Sequence, residues 1–295
     1  MSPLEPSGSV QRGILFVVMM TACFACLDAS AKWAGSQLPV IEIMWGRFVF
    51  NTAFVALFFG RRRPKRLLQT RRPLLQAIRA VFMIGATVTF WTALQYLPLA
   101  EATTIGFASP LLLTALSVPL LKERVGPYRW GAVVVGMIGV VIAMRPGTGA
   151  MHWAVVLPLG TALCHALYQI VTRRLAGVDP PGTTLFCTAL GGLVITSALV
   201  PFVWRETSPV QWGWFAWLGL LGAVGHYWLI RAFESAPASV LAPFGYTTLV
   251  WAITLGWIFY GNLPDLWTLA GGAVIVASGL FILYRERVIA RRAQG

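Results

Sequence analysis

Four ionisable residues lie inside the first two long apolar stretches of this sequence. Asp28 and Lys32 are four positions apart, so on a helix they share one face, with the acid first, the favourable order for an ion pair. Glu42 and Arg47 follow in the next stretch. Because an ionisable side chain in hydrocarbon normally faces a cavity or a partner, two roles stay open. The cluster could pair for stability, or Asp28, Lys32 and Arg47 could act in ion coupling or as a gate.

Polar side chains also occur deep inside later apolar stretches. One stretch carries His165, Tyr168 and Gln169, and another carries His226. At about 1.5 Å per residue, His165 lies roughly 18 Å along its stretch, close to the middle of a bilayer. Histidine titrates near physiological pH. A hydrogen bond between helices and a proton-carrying role are therefore both open.

Three aromatic residues, Trp91, Tyr246 and Trp251, lie well inside apolar stretches, whereas many of the 13 Trp fall at stretch ends. Such rings can pack between helices. As a set they would also give a cavity stacking walls with a few polar tips, suited to an uncharged or zwitterionic organic ligand. The predicted binding residues are thus Trp91, His165, Tyr168, Gln169, Tyr246 and Trp251.

Four cysteines, Cys23, Cys26, Cys164 and Cys187, all fall inside apolar stretches. The first two have the C-x-x-C spacing of redox and zinc sites. Zinc would need further ligands nearby, and cysteine in an apolar helix is usually a small packing residue. We expect no disulfide, no metal site and no cofactor.

The composition indicates an all-α integral membrane protein. Of the 295 residues, 57% are hydrophobic and 11% are charged, and the mean hydropathy is +0.72. A soluble globule could not bury so much apolar surface. Runs of roughly 17–25 apolar residues mark spanning helices, and the sequence predicts ten of them, near 13–33, 40–59, 77–97, 102–121, 130–145, 153–172, 183–203, 213–233, 238–260 and 266–284.

The net charge is +13, but the basic residues do not form one patch for nucleic acid, because they are sorted by side of the membrane. With the N-terminus in the cytoplasm, 19 of the 23 Lys and Arg fall on inner loops or inner helix ends. The outer side keeps Lys32, Arg145 and Arg205, and Arg47 lies within a span. By the positive-inside rule both termini are cytoplasmic, and nucleic-acid binding is not expected.

The chain repeats itself weakly after about 140 positions. The segment 93–100 corresponds to 232–239, and Gly106 corresponds to Gly245. Five spans per copy is an odd number, so the second copy enters the membrane in the opposite sense. The Arg-rich loop 60–76 and its counterpart 204–211, with a single Arg, fit this inversion. Two inverted halves that rock around a shared site favour a secondary transporter.

The expected organisation is a cytoplasmic tail (1–12), a first five-helix repeat (13–145), a second five-helix repeat (153–284) and a cytoplasmic tail (285–295). The segment 29–31 after an apolar run resembles a signal-peptidase site. Cleavage there would remove the first span and leave the first repeat without a partner for the sixth span, so cleavage is not expected. The fourth and ninth predicted spans, 102–121 and 238–260, carry Pro and Gly breakers and are candidate gate or cavity-lining elements, although a static kink would also explain the breakers.

Several short motifs then identify a known family. They are Arg47-Phe48, the segment 93–100, Lys122-Glu123-Arg124-Val125-Gly126-Pro127, and the Gly-rich fifth span ending in Arg145-Pro146. Together they resemble the ten-helix EamA branch of the drug/metabolite transporter superfamily over essentially the whole chain. The second copy departs from the pattern: Gly261-Asn262 stands where Gly-Glu is usual, and Arg47 has no basic counterpart.

The resemblance implies a carrier of the bacterial inner membrane. The aromatic interior favours export of aromatic and other neutral amino acids, as in the aromatic amino acid exporters of this branch. A carrier for purines, S-adenosylmethionine or amphiphiles is the alternative. An integral-membrane enzyme would need a motif such as G-x-S-x-G or H-E-x-x-H, and a channel would need a repeated filter. The sequence contains neither motif and no such filter, so both classes are less favoured than a carrier. The expected partners are a small-molecule substrate and the bilayer, and the expected state is a monomer.

Overall fold

The computed structural model of the protein describes residues 7–60, 69–123, 125–146, 152–175 and 178–292. These ranges are almost entirely helical. We number the α-helices in chain order as α1 (Ser7–Ala34), α2 (Val40–Gly60), α3 (Pro73–Leu94), α4 (Leu99–Gly106), α5 (Ser109–Leu121), α6 (Pro127–Met144), α7 (Val156–Leu175), α8 (Pro181–Leu199), α9 (Pro209–Ser235), α10 (Ala238–Leu241), α11 (Thr247–Tyr260) and α12 (Leu266–Arg292). Short 3₁₀ turns cover Trp153–Val155, Val200–Phe202 and Ala242–Tyr246.

Nine helical stretches in the described ranges are long and apolar enough to cross a membrane. Each of the nine matches one of the ten predicted spans. The helix α9, which covers the predicted span 213–233, is not among them. Its repeated Trp, Gly and polar residues lower its mean hydropathy, although at 27 residues it is long enough to cross.

The helices run alternately between two ends of the molecule. At one end, here called the distal end, Lys32 near the end of α1 donates to the carbonyls of Leu94 and Leu97, and Arg145 pairs with Asp265. At the other, the termini end, Arg173 pairs with Glu123. The two described chain ends, Ser7 and Arg292, belong to the termini end.

Two predicted spans are broken in the middle. The fourth divides into α4 and α5, with the break at Phe107 and Ala108 just before Pro110. The ninth divides into α10, a 3₁₀ turn over Ala242–Tyr246, and α11. Proline lacks an N–H for the helical ladder and clashes with the preceding turn. The sequence breakers therefore correspond to real interruptions, at Gly106 in one half and at Gly245 in the other.

The helix pairs with the most extensive contacts follow a simple rule. They are α1 with α9 and α11, α7 with α3 and α5, α2 with α8 and α9, α3 with α8, and α6 with α12. By order along the chain, α1 corresponds to α7, α2 to α8, α3 to α9, α5 to α11 and α6 to α12. If each helix is exchanged for its counterpart, the pair α1–α9 becomes α7–α3 and the pair α1–α11 becomes α7–α5. The pair α2–α9 becomes α8–α3, while α2–α8 and α6–α12 are unchanged. The packing is thus nearly symmetric between the two halves.

The contact between α6 and α12 depends on two glycines. A Cβ at Gly271 would lie 2.5 Å from the carbonyl oxygen of Gly139, and a Cβ at Gly139 would lie 2.9 Å from that of Gly271. Real Cβ atoms do not approach so closely, so the two backbones meet directly here. Small residues at membrane-helix interfaces permit this approach, which strengthens van der Waals packing where water provides no driving force.

Candidate functional site

Three polar side chains meet where α7 passes the break between α4 and α5. His165 Nδ1 lies 3.2 Å from the hydroxyl of Ser109, and the amide of Gln169 lies 3.3 Å from His165 Nδ1 and 3.4 Å from the Ser109 oxygen. His165 is near the middle of α7 and packs toward α5, yet its side chain is exposed. Exposure at this depth, on a face turned toward another helix, indicates that the residue borders an internal space.

A cavity of about 410 Å³ opens beside this polar group toward the termini end. This volume is in the usual range for small-molecule sites. Both broken spans contribute to its wall, and so do α6, α7 and α12. The lining residues central to the argument are Phe107, Thr114, Gln169, Arg173 and Tyr246.

Two rings stand where the broken spans meet. The ring centroids of Phe107 and Tyr246 are 5.1 Å apart, with 37° between the ring planes. The Tyr246 hydroxyl lies against Gly279, at a point where a Cβ would collide with it. A glycine is therefore required at this position for the ring to keep its orientation. The cavity thus has an aromatic wall beside the polar group at Gln169.

The mouth of the cavity carries charges. Arg173 Nη1 lies 3.3 Å from Glu123 Oε1, and both side chains are partly exposed. Arg129, at the start of α6, also lines the cavity. A partly exposed ion pair contributes little stability, roughly 0–1 kcal/mol. It can therefore break and re-form at little cost.

Tyr168 does not line the cavity but connects His165 to a buried guanidinium. Its ring stacks on His165 with 5.7 Å between centroids, and its hydroxyl accepts a hydrogen bond from Arg79 Nη2. The Arg79 guanidinium lies 4.5 Å from the Tyr168 ring centroid and also donates to Thr172, at 2.7 Å, and to Thr188. Arg79 is one of the 19 basic residues counted on inner loops and inner helix ends, and the structure buries it between α3, α7 and α8.

Trp91 belongs to a second polar group, between α1, α2 and α3. Its side chain is only 2% exposed, and its Nε1 donates to Asp28 Oδ1 over 3.0 Å. The Arg47 guanidinium lies 5.1 Å from the centroid of the Trp91 ring. This geometry separates Trp91 from Tyr246: it lies outside the 410 Å³ cavity and holds the Asp28 carboxylate close to Arg47.

The expected ion pair between Asp28 and Lys32 is not what the structure contains. The Lys32 ammonium donates instead to the carbonyl oxygens of Leu94 and Leu97 and lies 5.5 Å from the Tyr260 ring centroid. The Leu94 carbonyl ends α3, where carbonyls lack partners within the helix and carry the negative end of its dipole. Together with the Leu97 carbonyl in the following turn, it attracts the cation away from Asp28.

Glu42 also leaves the expected charge cluster. It is fully buried, and its Oε2 accepts from the backbone N–H of Arg205 over 3.1 Å. A similar contact joins the two halves at the termini end, where Asp179 Oδ1 accepts a hydrogen bond from the backbone N–H of Arg71 over 3.0 Å. In each case, a carboxylate near the start of one helix (α2 or α8) binds the loop of the other half.

Trp251 and His226 take positions that the sequence alone did not indicate. The Trp251 Nε1 atom is buried and has no hydrogen-bond partner among the described residues, and the residue does not line the 410 Å³ cavity. His226 Nδ1 donates to the carbonyl of Gly222 over 2.8 Å. Its ring lies within electrostatic range of both Arg47 and Arg79.

Sequence reasoning missed Phe107, Ser109 and Arg79. Phe107 and Ser109 flank the break before Pro110, and that proline was the available signal. Within the described ranges, no group of three or more His, Cys, Asp or Glu side chains could hold a metal ion.

Comparison with known proteins shows the family and the fold. The EamA-like transporter family matches residues 11–145 and again residues 152–284, so both halves of the chain correspond to the same family. A solved crystal structure shares the fold with a TM-score of 0.62, at 20% identity, over 99% of this chain and 100% of that one.

Three relatives illustrate the range of the family. The chain is 26% identical over 275 residues to an S-adenosylmethionine uptake transporter of Rickettsia felis, covering 93% of each chain. It is 29% identical over 292 residues to a riboflavin transporter of Rhizobium johnstonii, covering 96% of this chain and 94% of that one. It is 25% identical over 274 residues to the pseudopaline exporter of Pseudomonas aeruginosa, covering 91% and 95%.

The nine apolar helices of the described ranges and these bacterial relatives identify a multi-pass membrane transporter, consistent with the bacterial inner membrane. The double family match extends over most of the chain. The protein belongs to the EamA-like transporter family.

Proposed function

We propose that this protein is a secondary transporter that carries a small organic metabolite with a flat ring and polar groups by alternating access. The observation that carries the proposal is the meeting of the two broken spans at Phe107 and Tyr246, 5.1 Å apart, in the wall of the 410 Å³ cavity. In transporters built from repeats, discontinuous helices at the repeat interface commonly form the substrate site.

The near-symmetric helix packing supports an inverted-repeat mechanism. Each major contact of α1 and α2 has a counterpart made by α7 and α8. Because each half spans the membrane an odd number of times, exchanging the halves also exchanges the two ends of the molecule. A conformation open at the termini end then has a mirror conformation open at the distal end. Rocking between these two conformations would expose one site to each side in turn.

Aromatic and other neutral amino acids are the first proposed substrates, exported from the cytoplasm. The ring would stack on Tyr246, and the polar backbone of the amino acid would bond near Gln169 and Ser109. The cavity opens at the termini end, which the basic residues assign to the cytoplasm by the positive-inside rule. The mixed charges at Glu123 and Arg173 suit a zwitterion.

A second candidate is a larger ring-bearing metabolite. The relatives include proteins described as S-adenosylmethionine and riboflavin transporters, and both of these compounds combine a flat ring with a polar chain. The cavity volume of about 410 Å³ leaves room beyond the smallest aromatic amino acids. The same ring wall would serve either substrate class.

The group around Asp28 is proposed to couple or gate the cycle. Asp28 and Arg47 lie on different helices and are joined through Trp91, so protonation or release of the carboxylate would loosen α1 from α2 and α3. Lys32 ties the end of α1 to the end of α3 through two carbonyls. Breaking this tie would be needed to open the distal end between these helices.

Counterflow in proteoliposomes tests the proposal. Vesicles preloaded with unlabelled phenylalanine, riboflavin or S-adenosylmethionine are mixed with the same compound in labelled form. We expect transient, saturable accumulation of label for at least one ring-bearing substrate, and no accumulation in liposomes that lack the protein. Accumulation without saturation would indicate a channel, and a chemically altered product would indicate an enzyme. Equal counterflow of alanine and phenylalanine would contradict ring recognition.

A further inference from the structure

A groove on the membrane-facing surface lies away from the proposed substrate cavity, between α6 and α12 near the termini end. Its volume is about 720 Å³. The walls are apolar: Val135 and Ala132 come from α6, while Phe281 and Ala277 come from α12. Gly131 leaves part of the floor open, because a Cβ there would meet no atom within 4 Å.

A cationic side chain stands at the end of this groove that faces the membrane surface. Arg285 follows Phe281 by four residues and so lies on the same face of α12, one turn closer to the termini end. Its guanidinium lies 4.3 Å from the ring centroid of Tyr128, and Tyr128 also lines the groove. The groove therefore leads from an apolar channel to a fixed positive charge.

The Arg285 side chain is not fully satisfied within the protein. Its Nε atom is buried and has no hydrogen-bond partner among the described residues. A buried N–H without an acceptor costs roughly 1–3 kcal/mol, and the planar guanidinium group binds pairs of phosphate oxygens through parallel hydrogen bonds. The cation–π contact fixes the position of the group without supplying that acceptor.

We infer that the groove between α6 and α12 is a binding site for an anionic phospholipid. One acyl chain lies against Val135, Ala132 and Phe281, and the phosphate group accepts from Arg285. Roughly 10 Å of acyl chain fits the length from Tyr128 to Val135, at 1.5 Å per residue. Basic pockets between membrane helices are known binding places for anionic head groups. The charge selects the head group, and the groove selects a lipid over a soluble phosphate.

Native mass spectrometry of the full chain tests this inference. The protein is purified in detergent with equal amounts of phosphatidylglycerol and phosphatidylcholine that carry the same acyl chains, and the retained lipids are counted. We expect about fivefold preference for phosphatidylglycerol, the size expected for one basic residue near the membrane surface. Arg285→Gln should abolish the preference.

Two further variants separate the groove from general charge. Gly131→Leu places its Cβ where no atom lies within 4 Å, adds an apolar side chain to the groove and keeps Arg285, so it should lower retention of both lipids. Arg231→Gln removes a charge at the same end, where Arg231 is exposed and paired with Glu234 over 2.9 Å, and should behave as the unchanged protein.

Three results would overturn the inference, in addition to the Gly131→Leu outcome given below. They are an unaltered preference in Arg285→Gln, an equal loss in Arg231→Gln, and displacement of the lipid by glycerol phosphate alone. Should Arg285→Gln fail to fold, Gly131→Leu decides the question through lipid retention alone. Undiminished retention in that variant also contradicts the proposal.

Discussion

Tyr246 is the side chain on which ring recognition depends. Stacking adds about 0.5–1.5 kcal/mol beyond the burial of area, and each 1.4 kcal/mol changes affinity tenfold. We expect Tyr246→Ala to weaken phenylalanine binding by about tenfold and alanine binding by less, in competition for counterflow. Tyr227→Ala, at an exposed tyrosine of α9 outside the 410 Å³ cavity, is the matched control. Equal losses for both amino acids would mean that the Tyr246 ring only packs against Phe107.

Substitution of Asp28 can distinguish a structural from a functional role for the polar group that it forms with Trp91 and Arg47. Trp91 donates to this carboxylate over 3.0 Å, and a hydrogen bond to a charged group contributes about 1.5–3 kcal/mol. If Asp28 couples transport, Asp28→Asn should fold and bind substrate yet fail to accumulate it against a gradient. Trp91→Phe, which removes the same hydrogen bond but keeps the charge, should lose stability and keep transport. Normal accumulation by Asp28→Asn would exclude the coupling role.

Single residues also set the limit of what the sequence could predict. The cost of an ionisable group in lipid identified Asp28, Lys32 and Arg47 as worth attention, and the spacing predicted a contact between the first two. In the structure Lys32 donates instead to the carbonyls of Leu94, the last residue of α3, and of Leu97, in the turn that follows. These carbonyls lie 62 and 65 positions away in the chain. Helical spacing describes only one face of one helix. It contains no information on which unpaired groups a neighbouring helix presents.

At the scale of elements, the loops at the termini end are joined by one carboxylate. Burial raises the pKa of Asp179, but this is outweighed by hydrogen bonds from Arg71 N–H, Thr70 and Gln76, so the pKa lies below its usual value. A depressed carboxylate pKa stabilises the fold above the unfolded pKa, near 3.8, and this stabilisation is lost as the pH falls through the folded value.

We therefore expect Asp179→Asn to lower the melting temperature at pH 7, and the difference to vanish once the pH has fallen below the folded pKa, where the native carboxyl is also protonated. Thermal unfolding in detergent at several pH values measures this. Asp265 is a useful comparison at the distal end: burial raises its pKa, but hydrogen bonds from Thr268 and the charge and hydrogen bond of Arg145 outweigh this and hold the pKa below its usual value, so Asp265→Asn should follow the same pH trend. A loss of stability in Asp179→Asn that is constant with pH would contradict the electrostatic explanation.

The seam between α6 and α12 supplies a second element-scale prediction. A Cβ at Gly271 would meet the backbone of Gly139 at 2.5 Å, and overpacking typically costs 1–3 kcal/mol. Gly271→Ala should therefore destabilise the protein by about this amount. Gly131→Ala lies on the same helix pair with nothing within 4 Å and should be neutral, or stabilising by up to about 1 kcal/mol. If the two variants unfold at the same temperature, the close approach of the helices is not important for stability.

For the whole molecule, the sequence predicted the helices better than the site. The length of a hydrophobic run is set by the bilayer thickness, and nine of the ten predicted spans reappear as apolar helices in the described ranges. The breakers Pro110 and Gly245 correspond to real breaks. The site depends on how the broken spans pack. This is why Tyr246 and Gln169 line the cavity while Trp91 and Trp251 do not. Ring type and depth were readable, but the partner of each ring was not.

The orientation of the whole molecule gives the last prediction. Gln69 at the termini end and Glu206 at the distal end are both exposed, and they lie on opposite sides of the helices whichever way the protein is inserted. The 19 of 23 basic residues assigned to the loops and helix ends of the Gln69 side predict that this side is cytoplasmic. In a variant with all four natural cysteines replaced by alanine, Glu206→Cys should react with a membrane-impermeant thiol reagent in intact cells. Gln69→Cys should react only after the membrane is permeabilised. The reverse pattern would put both termini outside, and the cavity beside Tyr246 would then open away from the cytoplasm, which would make uptake rather than export the direction to test.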